Sequence, residues 1–389
     1  MIGAELFAGC GGLAFGMSRA GFTHVLMAEF NRDAVETVLH NKAAGVEHVR
    51  EWPMALMDVR EIDWLSLPAL DVISGGPPCQ PFGIGGKKLG QEDRRDMWPE
   101  AIRAVREAAP RAFLFENVRN LAGPRFRTYL EWIVAHLERP REGRRPGESH
   151  AAHSLRLRAT CSQPDYQVAW QVVNAADYGA PQIRHRVLIF GLRSDVGPAP
   201  RLMEPTHSRD RLLWDQYVSG AYWDRHGLRR RHEPTNKMDR GRLHELRRRS
   251  TPPKGKPWLT VRDALASLGE PNGRRNHLLQ LGARVYPGHT GSPLDLPAKA
   301  LKAGDHGVPG GENMMVRDDG SVRYFSTREA ARLVGLPDTF EFPRSWTESM
   351  RQLGNAVPAQ LAEAAGRWLA LQIGSRPAAP ADLPTLVAA

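Results

Sequence analysis

The stretch "ELFAGCGGLAFGMSRAGF", residues 5–22, decides the fold. Its apolar start reads as a strand, glycines at 9, 11 and 12 make the turn, and a helical pattern follows. A strand that turns through glycines into a helix lets a ligand approach backbone N–H groups and meets it with the positive end of the helix. The spacing is not the G-x-G-x-x-G of dinucleotide folds, and a glycine turn of this kind also serves tight packing. Glu29 favours a ligand: it ends the next strand-like run about 20 residues on, where an acid takes a ribose hydroxyl pair in such folds. Asp58 follows a third strand-like segment and suits either the exocyclic amine of an adenine or the cap of the next helix.

Outward from there, short apolar runs alternate with helical patterns to about residue 192, as a βαβ sheet requires. The strand candidates are "GAELFA", "THVLMAEF", "LDVISGG", "AFLFENV" and "RVLIFGL", with amphipathic helices over 33–42 and 97–108. The expected fold class is therefore α/β, with a Rossmann-like sheet. Residues 138–159, "ERPREGRRPGESHAAHSLRLRA", have no clean period and read as a surface insertion. After residue 192, "RSDVGPAPRLMEPTHS" reads as a linker, and 225–249 is dense in Arg and His with few strand or helix signals. Helical periodicity returns at 326–336 and 359–373, before a Pro/Ala tail at 376–389 that is expected to be disordered. Length and these shifts predict two domains: 1–193, completed by 345–375, and a smaller one over 194–344.

The 389 residues carry a net charge of +10, which points to a polyanionic partner such as nucleic acid. No window nears the roughly 18 consecutive apolar residues of a membrane span, and no charged leader precedes "IGAELFAG". A cytoplasmic protein with no membrane partner is expected. Three cysteines, Cys10, Cys79 and Cys161, are too few for a disulfide framework and lack metal-ligand spacing, so free thiols and no metal are expected.

Cys79 stands in "DVISGGPPCQPFGIGGK", residues 71–87, where an apolar run ends in two glycines, two prolines and a cysteine. Cysteine at so stiff a turn is a poor packing choice. Three further stretches stand out: "FENV" at 115–118, "PQIRHR" at 181–186 and "QLGNAVP" at 352–358. Each alone suits a structural role: Glu116 and Asn117 at a strand-end turn, Arg184 and Arg186 on a solvated edge, Gly354 and Asn355 in a loop before a helix. Taken in order with "FAGCGG" and "STREAARLVGLPDTF", they resemble the cytosine-5 DNA methyltransferase family over nearly the whole chain. Only the region from 192 to about 324 matches loosely, as the family's target-recognition segment would.

The resemblance implies a Rossmann-like S-adenosylmethionine-dependent methyltransferase domain with a smaller, irregular target-recognition domain, acting on a cytosine flipped out of double-stranded DNA. It also implies what Cys79 is for. Cytosine C5 is too weakly nucleophilic to take a methyl group from a sulfonium, whereas a thiolate added at C6 leaves C5 electron-rich. By the same resemblance Glu116 meets N3 and the amino edge of the base, Arg186 contacts O2, Arg184 supports the base site among the catalytic residues, and Gln182 serves on the phosphate side. Asn117 organises the loop. For S-adenosylmethionine, Phe7, Gly9, Gly11 and Gly12 flank the cofactor, Glu29 holds the ribose, Phe30 stacks on the adenine and Asp58 takes its amine. Pro78 and Asn355 complete that pocket.

The loop after Cys79, residues 83–95, has glycines to move and Lys87, Lys88, Arg94 and Arg95 to grip phosphate, and reads either as a lid or as an ordinary surface loop. In the second domain Arg229, Arg230 and Arg231 are expected phosphate contacts. The family setting implies a bacterial, nucleoid-associated monomer, with a cognate restriction endonuclease acting separately. The chain departs from the family pattern at Glu5, where aspartate or serine is usual, at Asn31 and Met57, where an acid and a glycine are common, and at Val334, where glutamine is frequent. Two rivals remain. A nicotinamide-dependent oxidoreductase would use the glycine turn and Glu29 but leaves Cys79 and "QIRHR" unexplained. An RNA methyltransferase of the same family would have less use for the long basic second domain.

Overall fold

The computed structural model describes residues 1–78, 96–234, 236–287, 289–303 and 313–374. Cys79, Lys87, Lys88, Arg94, Arg95 and the 376–389 tail lie outside the described residues. Strand β1 (Ile2–Leu6) turns through Gly9 (φ 55°) and Gly11 (φ 88°) into helix α1 (Gly12–Arg19), the strand, turn and helix expected of residues 5–22. Space as well as backbone conformation selects glycine there. A Cβ on Gly11 would meet the Trp52 ring at 2.3 Å, and one on Gly12 the Val357 carbonyl at 2.5 Å.

There follow β2 (Thr23–Glu29), α2 (Arg32–Ala43), β3 (Met54–Leu56), β4 (Val72–Gly75), α3 (Trp98–Ala108), β5 (Ala112–Val118), α4 (Arg127–Glu138) and α5 (His150–Ala159). β6 (Tyr166–Asn174), β7 (Gln182–Ile183) and β8 (His185–Arg193) come next. Seven strands form one sheet in the order β3-β2-β1-β4-β5-β8-β6, the first five parallel and β8 antiparallel to both neighbours. This is the expected α/β class with a largely parallel sheet.

Successive side chains of β5 go to opposite faces. Phe113 and Phe115 join Trp98, Ile102, Leu130 and Ile133 from α3 and α4, while Ala112 and Leu114 join Leu13 and Met17 from α1. Helices thus cover both faces. β6 is absent from the strand candidates read from sequence. It forms the sheet edge and most of it is half-buried, so no one-sided alternation marks it. The stretch 138–159, read as an insertion without period, contains α5. That helix is held by the Ser149 cap, whose Oγ accepts from the Ala152 N–H at 3.1 Å, and by rings on α4 rather than by an apolar stripe.

The second half of the chain contains α6 (Arg209–Tyr217), α7 (Ala221–Arg225), α8 (Lys237–Arg247) and α9 (Val261–Leu265), with a small apolar cluster of Leu212, Tyr222 and Trp223. Helix α8 falls inside the Arg/His-dense run that shows few helix signals; Asn236 caps it through the Asp239 N–H at 2.7 Å, and Leu243 and Leu246 are buried. Three helices close the fold: α10 (Thr327–Val334), α11 (Trp346–Asn355) and α12 (Ala359–Ile373). α10 and α12 lie where periodicity places them. Gly354 and Asn355, which taken alone would suit a loop before a helix, instead end α11.

The chain returns to its beginning. α12 packs on α1 so closely that a Cβ on Gly16 would lie 2.3 Å from the Ala362 Cβ. Phe325, Leu333, Phe340 and Leu353 pack in one cluster with Phe15, Val38 and Trp52. Among the described residues no helix is long and apolar enough to cross a membrane.

Candidate active site

A cavity of about 1040 Å³ opens at the carboxyl ends of β1 to β5, around the point where the strand order reverses between β1 and β4. Parallel sheets place ligands there because the loops diverge on either side of that point. Phe7, Gly9, Gly12, Glu29, Phe30, Asp58, Pro78 and Asn355 all line it. Gly11 does not; it lies beneath, against Trp52.

The Glu29 carboxylate is fixed by two backbone donors, the Gly9 N–H at 2.8 Å and the Asn31 N–H at 2.7 Å. A carboxylate has about four acceptor positions, so two remain for a diol. The Phe30 ring is 75% exposed beside it, and a Cβ on Gly9 would meet nothing within 4 Å. Asp58 is engaged already: it caps the Arg60 N–H at 3.0 Å, and the Arg60 guanidinium holds its carboxyl below the usual carboxylate range. The capping role read for this residue is therefore realised. Asn31 likewise caps α2 through the Ala34 N–H at 3.0 Å and accepts from Arg351 at 3.1 Å.

Glu5 explains its own departure from the family pattern. Fully buried, it accepts from the Ala14 N–H at 3.0 Å and from the Ser74 hydroxyl at 3.1 Å, so its carboxylate sits against the positive end of α1.

Across the cavity, β5 and β8 supply the other wall. Their antiparallel register sets Leu188 opposite Glu116 and Arg186 opposite Val118, which puts Glu116 and Arg186 diagonally on one face. The two form an ion pair, with side chains only 10% and 13% exposed. The paired glycines before Cys79 now have a reason: a Cβ on Gly75 would press the Leu6 carbonyl at 2.6 Å, and one on Gly76 the Glu116 carboxylate at 3.3 Å. Asn117 donates from Nδ2 to the Pro77 carbonyl at 3.0 Å, organising the turn as expected. Arg184 backs this wall but is 2% exposed, and Gln182 is fully buried with its Oε1 turned to Arg184, presenting no surface to a phosphate.

Of the other thiols, Cys161 is exposed at the end of α5 and Cys10 is buried, its thiol pushed up to about 12 by burial, which leaves it neutral. Arg119, His185 and Arg351 also line the cavity without having been singled out; each flanks or interrupts one of the motifs "FENV", "QIRHR" and "QLGNAVP", so adjacency was the available signal. In the second half Arg230 is ion-paired with Asp224, and Arg231 lies 3.4 Å from Asp295 with its guanidinium over the Trp223 ring. Arg229 is exposed, with no ion pair among the described residues.

The sequence profile of C-5 cytosine-specific DNA methylases matches residues 1–140 and 156–370. The chain belongs to that family. This methylase is 29% identical over 378 residues to the type II methyltransferase M.NgoMIV of Neisseria gonorrhoeae, covering 94% of this chain and 96% of that protein. It is 28% identical over 382 residues to the type II methyltransferase M.AplI of Arthrospira platensis, with 97% and 88% covered. Its fold is shared with the S. pombe Dnmt2 methyltransferase at a TM-score of 0.56 and 15% identity, over 96% of this chain and 98% of that one.

The methylase thus transfers a methyl group to C5 of cytosine in DNA, with S-adenosylmethionine as donor, and the nicotinamide and RNA readings fall away. The donor set fits that cofactor: a fixed carboxylate for a diol, an uncovered aromatic ring for a purine, and a glycine turn with open space beside it. The match leaves out residues 141–155, which include the start of α5.

Proposed function

We propose that this methylase modifies a cytosine flipped out of a specific duplex site through a covalent bond between Cys79 and C6, as the modification half of a type II restriction–modification system. The observation that carries the reading is the single cavity in which Pro78, Glu116 and Arg186 face Phe7, Glu29, Phe30 and Asn355. Glu29 holds the ribose, Phe30 stacks on the adenine, Asp58 takes its amine, and the glycine turn with Phe7, Pro78 and Asn355 closes the cofactor's pocket. Bound there, S-adenosylmethionine supplies an electrophilic methyl group on a sulfonium.

Cys79, which follows Pro78 in the chain, adds as a thiolate to C6 of the flipped base, and the ring electrons move toward C5. Glu116 stabilises the charge that develops at N3 and the amino edge. Arg186 holds Glu116 by their ion pair and takes O2 of the base. Once C5 carries the methyl group, loss of its proton returns an electron pair to the ring and expels the Cys79 sulfur. Flipping itself costs a few kcal/mol of stacking, which phosphate contacts offset; Lys87, Lys88, Arg94, Arg95 and Arg229 are assigned to these.

We assign 1–193 and 345–375 to the catalytic domain and 194–344 to target recognition, the last part of which packs on the catalytic domain through Phe325, Leu333 and Phe340 against Phe15 and Trp52. The enzyme acts in the bacterial cytoplasm as a nucleoid-associated monomer on double-stranded DNA, and its cognate nuclease acts separately.

A duplex with 5-fluorocytosine at the target tests the nucleophile, because fluorine at C5 leaves no proton to remove and the adduct cannot resolve. Wild type with S-adenosylmethionine should yield a complex that survives denaturation, and Cys79→Ser should yield none while still binding the duplex. A trapped complex in Cys79→Ser would overturn the assignment.

A further inference from the structure

Arg184 occupies a three-way junction. Its guanidinium donates from Nη1 to the Leu301 carbonyl at 3.0 Å and to Gln182 Oε1 at 3.4 Å, and from Nη2 to the Gly354 carbonyl. Those carbonyls belong to segments 117 and 170 residues away in sequence. The segments also touch each other, since a Cβ on Gly354 would lie 2.4 Å from the Ala303 nitrogen. On one side, residues 298–299 pair parallel with β7, which anchors the strand leading to Leu301. On the other, Gly354 directly precedes Asn355, and both Lys302 and Asn355 line the cavity.

We propose that Arg184 is a positioning residue that locks the segment arriving from the recognition region to the C-terminal end of α11 beside the cofactor pocket, so that DNA and cofactor bind cooperatively through it. A guanidinium bonds two diverging carbonyls in one rigid planar fork; an ammonium has three donors but radiates them from one nitrogen on a flexible stem, so it does not hold the two carbonyls in a fixed geometry. Arg184 is 2% exposed, and its terminal nitrogens are taken by these two carbonyls and Gln182. A ligand that fixes residues 301–303 therefore fixes Gly354 and Asn355 as well, and by linkage the cofactor fixes the DNA-side segment to the same degree.

The inference rests on the assignment of Asn355 to the cofactor pocket. Affinities are measured by calorimetry for S-adenosylhomocysteine and by fluorescence anisotropy for a duplex containing the site mapped by bisulfite sequencing, each with and without the other ligand. In wild type each ligand should tighten the other about tenfold. Arg184→Lys should bring both factors to within about twofold of one, while each ligand alone still binds. Unchanged coupling in Arg184→Lys, or no coupling in wild type, would overturn the proposal. Should Arg184→Lys fail to fold, Gly354→Ala forces the same junction apart with the buried charge intact, and coupling that survives it is equally fatal. Asn355→Ala separates the two ideas: undiminished S-adenosylhomocysteine binding refutes the pocket assignment and leaves the junction to the coupling factors.

Discussion

Glu116 and Arg186 show how much one strand register does. Two residues that are unremarkable in sequence, an acid late in one strand and a base early in another, become a nearly buried pair because β5 and β8 run antiparallel with Val118 opposite Arg186. Replacing the carboxyl by an amide keeps the shape and a hydrogen bond but removes the shared proton that answers the charge developing on the ring. Glu116→Gln should therefore lose roughly 100-fold or more in single-turnover methyl transfer, with duplex affinity close to wild type by anisotropy; a rate within a few-fold of wild type would count against the role. Arg186 keeps its bond to the His185 carbonyl at 2.8 Å in that variant, which limits collateral damage. Such pairs were legible only through the motifs that carry them. Arg184 was legible as a motif residue but not as a joint, because its partners are carbonyls far along the chain that no local pattern announces.

Among the elements, those with one-sided apolar periodicity were legible and those held by caps or rings were not. α12 spans the residues its period marks, 359–373, whereas α5 and α8 rest on Ser149 and Asn236 caps and a few buried side chains. The contact between α1 and α12 leaves no room at Gly16, where a Cβ would meet the Ala359 carbonyl at 2.5 Å as well as Ala362. Gly16→Ala should destabilise the fold by about 1 to 3 kcal/mol through forced separation of the helices, visible as a lowered thermal midpoint; an unchanged midpoint would mean the helices are not in that contact.

Between α4 and α5, Trp132 donates to His153 Nδ1 at 3.0 Å and His136 lies buried against the His153 ring. Burial lowers His136 to about 3, so the folded state keeps it neutral while an unfolded chain protonates it near 6.5. The unfolded state then binds the extra proton between those values, and stability falls as pH drops through that window, by about 1.4 kcal/mol per pH unit for each such proton. The thermal midpoint should decline from pH 7 to 5 in wild type and less steeply in His136→Leu; parallel slopes would refute the assignment. Burial lowers His150 to about 4, which adds to the trend with the same sign.

At the scale of the whole molecule the net charge of +10 was the first sign of a polyanionic partner, yet not every arginine is free to meet it. Arg230 and Arg231 are occupied by Asp224 and Asp295, whereas Arg229 is exposed without an ion pair among the described residues. Duplex affinity should fall steeply with salt, each neutralised phosphate contributing about −0.9 to the log–log slope. Arg229→Ala should flatten that slope by about 1 and weaken target and non-target duplexes alike. Arg230→Ala should change it less, and equal effects of the two would show that the internal pairs open on DNA.

The packing of α12 on α1 also sets a timetable. About 340 residues lie between them, so at roughly 5 to 20 residues per second a ribosome needs on the order of 20 to 70 seconds after making α1 to deliver its cover. During that interval Leu13 and Met17 await partners such as Leu361 and Ala365. The nascent enzyme therefore carries an uncovered apolar face until α12 is made, and its yield in the cell should depend on whatever shields that face in the meantime.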